Sequence, residues 1–248
     1  MPTILSVANQ KGGVGKTTTA TSLAHAFGLS GRRVLVVDID PQANATSGMG
    51  VAPTEQSAAF TPGAAEGVVI RTAWEGVWCL PAGRDLERQA AQAGRSADRL
   101  EANLSAVGGD GFDVVLIDCP PSLGPLTRSA LAASDAAIIP IQCEYYPLEG
   151  LVQLIGAVRQ AGKRNPGLSV GGVLLTMYDP GAELAREVEA EVRAKLDQPV
   201  FETVIPRDPA VAEAPSHCLS VLDYAPRSRG ARAYVRLASE MIDRRLVG

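Results

Sequence analysis

A glycine-rich run near the amino terminus has the residue types that bind phosphate. Glycines allow successive backbone N–H groups to turn inward around phosphate oxygens. A helix that begins at such a loop adds the partial positive charge of its first turn. Lys16 can reach the terminal phosphates, and the Thr17 hydroxyl can hold Mg²⁺. The residues predicted to surround a nucleoside triphosphate are Gly12, Gly13, Val14, Gly15, Lys16, Thr17 and Thr18.

The loop departs from the usual G-x-x-x-x-G-K-[ST] pattern at two positions. Gln10 stands where the first glycine would be, and a second lysine, Lys11, precedes the glycine pair. Lys16 already serves the phosphates of its own chain, and a second ammonium group so close would meet like-charge repulsion. Lys11 could instead reach a phosphate on a facing subunit, as a lysine counterpart of an arginine finger. It could equally be an exposed loop lysine, and the spacing alone favours neither.

Two later apolar segments end in aspartates. Asp38 and Asp40 follow the first segment, and they share one face if the strand continues to residue 40. One carboxylate can lie near a metal while the other orients a water in line with the γ-phosphate. Asp118 ends the second segment in the Walker B pattern and would bind Mg²⁺ directly or through water. We therefore predict a metal site formed by Thr17, Asp38 and Asp118, although loop capping is an alternative for each aspartate.

Strand-like and helix-like segments alternate along the chain and would position these residues. The predicted strands are Thr3–Ala8, Arg33–Asp38, Val77–Leu80, Asp113–Asp118, Ala136–Ile141, Val170–Met177 and Val200–Val204. The predicted helices lie near Thr17–Leu29, Asp98–Val107, Leu126–Ala133, Leu148–Gly162, Glu183–Leu196 and Ala231–Leu246. This alternation predicts a doubly wound α/β fold, a mostly parallel sheet flanked by helices of the P-loop type. Ligands of such sheets bind beyond the carboxyl ends of the strands, where the loop and the aspartates would converge.

Composition limits the class of protein. The 248 residues are 46% hydrophobic with a formal net charge of −4, which favours a globular protein and argues against a wholly basic nucleic-acid binder. We predict a single domain over residues 1–248, in which 51–76 forms an extended loop. No apolar run is long enough for a membrane span and no signal peptide is recognisable, so a cytoplasmic protein is expected. The four cysteines are expected to be reduced, and His25 and His217 to be structural.

Three stretches together carry a family resemblance: Lys11-Gly-Gly-Val-Gly-Lys-Thr-Thr, Asp38-Ile-Asp-Pro-Gln-Ala-Asn-Ala-Thr and Asp118-Cys-Pro-Pro-Ser. They resemble the deviant Walker A ATPases of the ParA/MinD group, and are more similar to chromosomal ParA proteins of the Soj type. The further matching stretches are Gln142-Cys-Glu-Tyr-Tyr-Pro-Leu-Glu-Gly150, Thr176-Met-Tyr-Asp179, Ile205-Pro-Arg207, Glu213-Ala-Pro-Ser216 and Pro226-Arg-Ser-Arg-Gly230. The resemblance thus extends over nearly the whole chain.

The resemblance implies an ATPase with ATP and Mg²⁺ as cofactors. It implies a sandwich homodimer with ATP in which Lys11 crosses to the partner's nucleotide, and it makes Asp40 the residue that positions the attacking water. Met177, Pro206 and Arg207 would lie by the adenine. The family partitions chromosomes or plasmids: its ATP dimers coat double-stranded DNA without sequence preference, and a ParB-type partner stimulates hydrolysis. A nucleoid-associated protein is therefore expected.

Two other functions stay open within this superfamily. A MinD-like regulator would act on a membrane or a protein scaffold, but the apolar positions of the last helix have the spacing of a core-packed helix, so stable membrane association is not expected. An ATP-dependent metabolic enzyme would need a substrate pocket for which the sequence offers no candidate residues. Because the first strand begins at about residue 3, we expect no N-terminal helix-turn-helix domain.

The DNA contacts are the weakest part of the resemblance. Soj-type proteins commonly carry arginines at places that correspond here to Gly181 and Ala210. Other basic residues would have to replace them, or these residues form an ordinary solvated face. The candidates are Arg186, Arg193, Lys195, Arg227, Arg229, Arg232 and Arg236. Such a patch, doubled in a dimer, suits salt-sensitive binding to phosphates.

Overall fold

The structure is a computed structural model that describes residues 1–61, 63–65, 67–91, 96–108, 111–143 and 147–248. Part of the matching stretch 142–150 therefore lies outside the described residues. Seven strands form one sheet: β1 (Thr3–Val7), β2 (Val34–Asp38), β3 (Ile70–Arg71), β4 (Val77–Leu80), β5 (Val114–Asp118), β6 (Ala136–Gln142) and β7 (Ser169–Thr176). Their order is β3-β4-β2-β5-β1-β6-β7, and every pair except β3 with β4 is parallel.

Helices cover both faces of this sheet. Those on the first half of the chain are α1 (Lys16–Leu29), α2 (Asn44–Gly48), α3 (Leu86–Ala91), α4 (Ser96–Gly108) and α5 (Pro125–Ala132). Those on the second half are α6 (Pro147–Gly162), α7 (Glu183–Lys195), α8 (Pro209–Glu213), α9 (Val221–Tyr224) and α10 (Arg229–Asp243). The predicted doubly wound α/β fold with a mostly parallel sheet is confirmed.

Two hydrophobic cores fill the space between the sheet and its helices. Alternate residues of the central strands point to opposite faces, so Leu35 of β2 joins one core and Val36 joins the other. The first core includes buried side chains of α4 to α7, and the second includes those of α1 and α10. Strands buried on both faces read as continuous apolar runs, which is why β2 and β5 were predictable from sequence.

The predicted strand over Val200–Val204 is wrong. Val200 makes only an isolated bridge to Val173, and Phe201 N donates to the Val173 carbonyl at 2.9 Å. The next two backbone N–H groups, of Glu202 and Thr203, turn instead to the Glu240 carboxylate at 2.7 and 2.9 Å. A side chain thus takes the hydrogen bonds that would have extended a strand. The antiparallel edge strand β3 was not predicted either, because it is only two residues long.

The sheet order places the carboxyl ends of β1, β2 and β5 side by side. β1 pairs with β5 on one side and β6 on the other, so the chain winds away from β1 in both directions. Such a switch of direction leaves a crevice above the strand ends, where open α/β sheets bind ligands. The segment from β1 to α1 lies at this point, and it contains the predicted phosphate loop.

Candidate nucleotide site

The loop between β1 and α1 has the backbone that phosphate binding requires. Gly13 and Gly15 adopt φ values of 73° and 88°, a left-handed conformation that glycine alone adopts readily. Gly15 precedes α1, and no side chain in the described structure caps that helix start. The first turn of α1 therefore directs its backbone N–H groups, and the positive end of its dipole, into the crevice.

Two polar side chains that the sequence did not reveal hold this loop from below. Asn9 donates to the Pro140 carbonyl at 2.7 Å and accepts from Lys11 N at 3.0 Å. The buried Thr176 hydroxyl lies 2.9 Å from the Val14 carbonyl and 3.0 Å from the Ile141 carbonyl. Contacts between residues this far apart in sequence could not be inferred from spacing, although Thr176 does end an apolar run.

The two lysines of the loop occupy different surroundings. The Lys16 side chain is buried, and its Nζ donates to the Lys11 carbonyl at 3.0 Å. Burial lowers the pKa of Lys16, while the nearby charge of Asp118 opposes that shift. Lys11 is exposed at the surface of the loop. Lys16 is thus placed to act within its own chain, whereas Lys11 faces solvent.

Asp118, at the end of β5, is fully buried, and neither of its carboxylate oxygens has a hydrogen-bond partner in the described part of the chain. Burial raises the pKa of Asp118 well above its ordinary value, and the nearby charge of Asp38 raises it further. The Thr17 hydroxyl lowers this pKa, although it does not form a hydrogen bond with the carboxylate. A buried carboxylate without donors is costly unless a cation or another donor meets it. The Thr17 hydroxyl and this carboxylate have the hard oxygen atoms that Mg²⁺ prefers.

Asp38, at the end of β2, is equally buried but is satisfied by its own loop. Its Oδ1 accepts from Asp40 N at 3.0 Å, and its Oδ2 accepts from the backbone N and the hydroxyl of Thr46 at 2.8 and 2.7 Å. Burial raises the pKa of Asp38 to about 6 against the lowering effect of these bonds. These contacts fix the turn that carries Asp40, and the metal role of Asp38 stays a prediction.

Asp40 lies beyond the end of β2, so it does not continue the face of Asp38 along a strand. Its Oδ1 accepts from Gln42 N at 2.9 Å, and its side chain borders a cavity of about 450 Å³. The loop that follows β5 forms another wall of this cavity, through Pro120, Pro121 and Ser122. We call it the Asp40 cavity. It leaves open space beside the Asp40 side chain.

A second cavity, of about 390 Å³, opens on the opposite side of the phosphate loop and contains the predicted adenine contacts. Its lining residues are Gly15, Thr18, Thr176, Met177, Ile205, Pro206, Arg207, Asp208, Pro209, Val211, Ala212 and Tyr234. We call it the Pro206 cavity. Met177 adopts a left-handed φ of 51°, which turns the chain at the end of β7 into this wall. Tyr234 and Asp208 were not expected there from the sequence.

The basic candidates separate into two groups. On α7, Arg193 pairs with Glu189 at 3.0 Å and Lys195 pairs with Glu191 at 2.7 Å, so acids neutralise both charges. Arg229, Arg232 and Arg236 line an open groove of about 690 Å³ beside α10. We call it the arginine groove, and its remaining lining residues are Tyr178, Pro180, Val204, Pro206, Pro226 and Val235. Arg186 and Arg227 are exposed outside its lining.

The C-terminal helix is part of the core, as predicted. Tyr234, Leu237 and Met241 of α10 are each at most 1% exposed. These side chains of the helix therefore pack against the protein. Within the described residues, none of the helices has the length and apolarity to cross a bilayer.

His25 has the structural environment expected of it. It is buried in α1, where its Nδ1 lies 2.5 Å from the Ser220 hydroxyl and its ring stacks on Trp74 at 5.4 Å. Burial lowers its pKa, against the opposing charges of Asp223 and Glu75. His25 therefore ties α1 to the segment that begins α9.

Sequence comparisons identify a family model and relatives that match most of this chain. The AAA_31 family model, an AAA domain, matches residues 2–170. The chromosome partitioning protein ParA of Caulobacter vibrioides is 43% identical over 251 residues, which cover 97% of this chain and 94% of that protein. The chromosome-partitioning ATPase Soj of Thermus thermophilus is 45% identical over 242 residues, 97% of this chain and 95% of its own.

A structural comparison identifies a similar protein whose structure contains a bound nucleotide analogue. The structure of cobyrinic acid a,c-diamide synthase from Mycobacterium smegmatis, with bound ATP analogue and magnesium, superposes with a TM-score of 0.84. It is 36% identical and the alignment covers 98% of this chain and 95% of that one. A protein of closely similar fold thus binds an ATP analogue together with magnesium.

Proposed function

Because the chain belongs to the family of ParA and Soj chromosome-partitioning ATPases, we propose that it binds ATP with Mg²⁺ and uses the nucleotide to partition DNA. The observation that carries the nucleotide site is the buried Asp118 carboxylate, which has no donor in the described chain and lies next to Lys16 and Thr17. A cation bound there would remove the cost of burying that charge. The similarity to ParA and Soj supports the cellular role.

Each part of the site then has a role in ATP hydrolysis. The loop N–H groups and Lys16 hold the phosphates, and Thr17 with Asp118 holds Mg²⁺, which neutralises phosphate charge when bound. The Pro206 cavity, with Met177, Pro206 and Arg207, takes the adenine. Asp40 orients the attacking water in its own cavity, and a slow basal rate is expected.

The proposal includes a homodimer closed by ATP. Lys11 is exposed where a second molecule would face the loop. Its charge would then reach the partner's nucleotide, so that ATP holds two subunits together and hydrolysis releases them. We propose that residues 1–248 act as one domain in the cytoplasm, on the nucleoid, and that a ParB-type protein stimulates hydrolysis.

The arginine groove is the proposed DNA contact of each subunit. Arg229, Arg232 and Arg236 line one groove and have no acidic partner in the described structure, in contrast to the neutralised charges of α7. Phosphate contacts of this kind read no sequence and are sensitive to salt. The groove and its equivalent in a dimer would bind duplex DNA nonspecifically.

A titration of a mixed-sequence duplex tests the function. Binding is measured with ATP, with ADP and without nucleotide, at two salt concentrations. Tight binding is expected only with ATP, and it should weaken steeply with salt. Removal of Arg232 and Arg236 together should weaken binding, whereas removal of Arg193 and Lys195, a matched loss of two charges, should have a smaller effect. Strong DNA binding by the nucleotide-free monomer would contradict the proposal.

A metabolic function is the second candidate, and it is supported by the similarity of this chain to the M. smegmatis synthase. Such an enzyme would hydrolyse ATP in response to a carboxylate substrate and an amide donor, and DNA would leave its rate unchanged. The same preparation therefore separates the two functions, by comparing ATP hydrolysis with duplex DNA and with cobyrinic acid plus an amide donor. A MinD-like role predicts ATP-dependent sedimentation with liposomes, which we do not expect.

A further inference from the structure

The C-terminal helix α10 is a wall of two cavities at once. Tyr234 faces the Pro206 cavity, while Arg232, Val235 and Arg236 of the same helix line the arginine groove. Pro206 itself borders both. A displacement of α10 would therefore change the shape of both cavities together.

Asp208 fixes the start of this helix to the wall of the Pro206 cavity. Its Oδ2 accepts from Gly230 N, in the first turn of α10, at 2.8 Å, and its Oδ1 accepts from Ala210 N at 3.1 Å. One half-buried carboxylate thus joins the beginnings of α8 and α10. Next to it, the Arg207 carbonyl accepts from the guanidinium of Arg229 at 3.4 Å.

Close packing reinforces this junction. Gly230 is buried, and a Cβ added to it would lie 2.2 Å from Cγ2 of Val211, another residue of the Pro206 cavity wall. Only glycine allows α8 and α10 to approach this closely. At the far side of the same cavity, the Tyr234 hydroxyl lies 3.4 Å from the hydroxyl of Thr19 in α1, the helix that begins at the phosphate loop.

From these contacts we infer that Asp208 is a positioning residue that couples nucleotide binding in the Pro206 cavity to DNA binding in the arginine groove. The inference rests on the proposed function and adds the path of regulation within one subunit. A base in the Pro206 cavity fixes the segment 207–211, Asp208 transmits that position to the first turn of α10, and the arginines follow. Because coupling between two sites is reciprocal, DNA must raise nucleotide affinity by the factor by which nucleotide raises DNA affinity.

The experiment measures that factor from both sides. Duplex affinity is determined with and without a non-hydrolysable ATP analogue, and analogue affinity is determined with and without saturating duplex. The variants are Asp208→Asn, which keeps one acceptor oxygen, and Gly230→Ala, which separates the two helices without changing charge. Asp243→Asn is the matched control, since it removes the same charge from the exposed last residue of α10.

We expect Asp208→Asn and Gly230→Ala to reduce the coupling factor about tenfold or more, whatever their affinity for the analogue alone, and we expect Asp243→Asn to couple like wild type. If the two variants weaken either affinity but leave the factor unchanged, the inference is overturned and the proposed function stands. If the wild type itself shows no nucleotide-dependent DNA binding, the proposed function fails and the inference fails with it. Circular dichroism and thermal melting identify any variant that is unfolded, and Gly230→Ala and Asp208→Asn act on different atoms of one junction, so either alone decides the question.

Discussion

The ends of β2 and β5 invite comparison, because each places a buried aspartate at the same level of the sheet. Asp38 and Asp118 are partners in the register of the two strands, and both side chains are fully buried. Asp38 accepts three hydrogen bonds from Asp40 and Thr46, whereas Asp118 accepts none from the described residues. Two residues with the same sequence context, an apolar run that ends in aspartate, therefore differ in their hydrogen bonding.

The difference shows how a structure separates positioning from binding. A buried carboxylate that accepts hydrogen bonds from the protein holds those donors in place, because its removal would leave them buried without an acceptor. A buried carboxylate that the protein leaves without donors destabilises the fold, and such a cost is retained where a ligand offsets it. The predictions below test this distinction between the two aspartates and the parts of the site attached to each.

The largest effect is expected for Asp118→Asn. The variant should lose about 1,000-fold in affinity for the magnesium complex of ATP, because metal coordination contributes several kcal/mol. Its free energy of unfolding at pH 7 should be unchanged or higher, because the substitution removes a buried charge that has no donor. Isothermal titration with and without Mg²⁺ measures the first quantity, and urea denaturation measures the second. A variant that binds Mg²⁺-ATP as well as wild type would show that the two aspartates do not differ in this way.

Asp38→Ala should give the opposite result. It leaves the Asp40 and Thr46 donors buried without an acceptor, so the free energy of unfolding should fall by about 3 kcal/mol. Affinity for Mg²⁺ should fall far less than in Asp118→Asn. The milder Thr46→Val removes one of the three donors to Asp38 and also the acceptor of Ala82 N, so it should lower the free energy of unfolding by about 2 kcal/mol. If Asp38→Ala were as stable as wild type and defective in Mg²⁺ binding, the metal role predicted for Asp38 would be supported.

A substitution of Asp40 tests the role of the segment that follows β2, because Asp38 fixes the turn that carries Asp40. Asp40→Ala should reduce ATP hydrolysis about 100-fold, the lower range for loss of a general base. It should still bind ATP and form the ATP-dependent dimer, as measured by sedimentation velocity. A protein that stays monomeric in ATP would contradict the assignment of Asp40 to the attacking water.

Much of this architecture could be predicted from sequence, for physical reasons that also explain the omissions. β2 and β5 are buried on both faces, so their apolar runs were unambiguous, and the glycines of the phosphate loop mark a backbone that few other residues adopt. The edge strand β3 and the segment 200–204 have no such signal, because their hydrogen bonding is decided by neighbours such as Glu240.

The sequence predicted the candidate residues of the site, but it did not predict how their surroundings differ. Spacing identified Asp38, Asp40 and Asp118 as candidates, but it could not tell which carboxylate the fold would satisfy. That outcome depends on Thr46, which lies on a helix too short to be recognised from periodicity. Tyr234 and Asp208 were missed because they reach the nucleotide site through tertiary contacts, over 215 positions in the pair of Tyr234 with Thr19.

A smaller effect is expected for Thr176, at the end of β7, whose hydroxyl forms hydrogen bonds that support the phosphate loop. Thr176→Val keeps the side-chain shape and removes the hydroxyl that contacts the Val14 and Ile141 carbonyls. ATP affinity should fall about fivefold to tenfold, the equivalent of one net hydrogen bond. Thr176→Ser, which retains the hydroxyl, should restore most of the affinity. Equal affinities for the valine variant and wild type would show that the loop holds its shape without Thr176.

The smallest effect is expected for the buried histidine His25, which can be compared with the two buried aspartates. Burial lowers the pKa of His25 in the folded protein, although Asp223 and Glu75 oppose that shift, and the Ser220 hydroxyl and Trp74 complete its surroundings. The unfolded chain therefore binds more protons than the folded one below the unperturbed pKa of about 6.5, and the free energy of unfolding rises with pH in that range. The stability attributable to neutral His25 is fully present above about pH 6.5 and is lost as the pH falls below it.

The slope that His25 adds cannot exceed about 1.4 kcal/mol per pH unit, the value for one proton. His25→Gln should remove this slope while keeping a polar atom for Ser220, and His217→Gln, at an exposed histidine whose ring stacks on Tyr224, is the control. Urea denaturation from pH 5 to pH 8 measures both. If His25→Gln left the pH dependence of unfolding as it is in wild type, His25 would not be held neutral by its burial. If the variant instead made the free energy of unfolding rise more steeply with pH, His25 would be stabilised as a cation by Asp223, which lies 3.7 Å from its Nδ1.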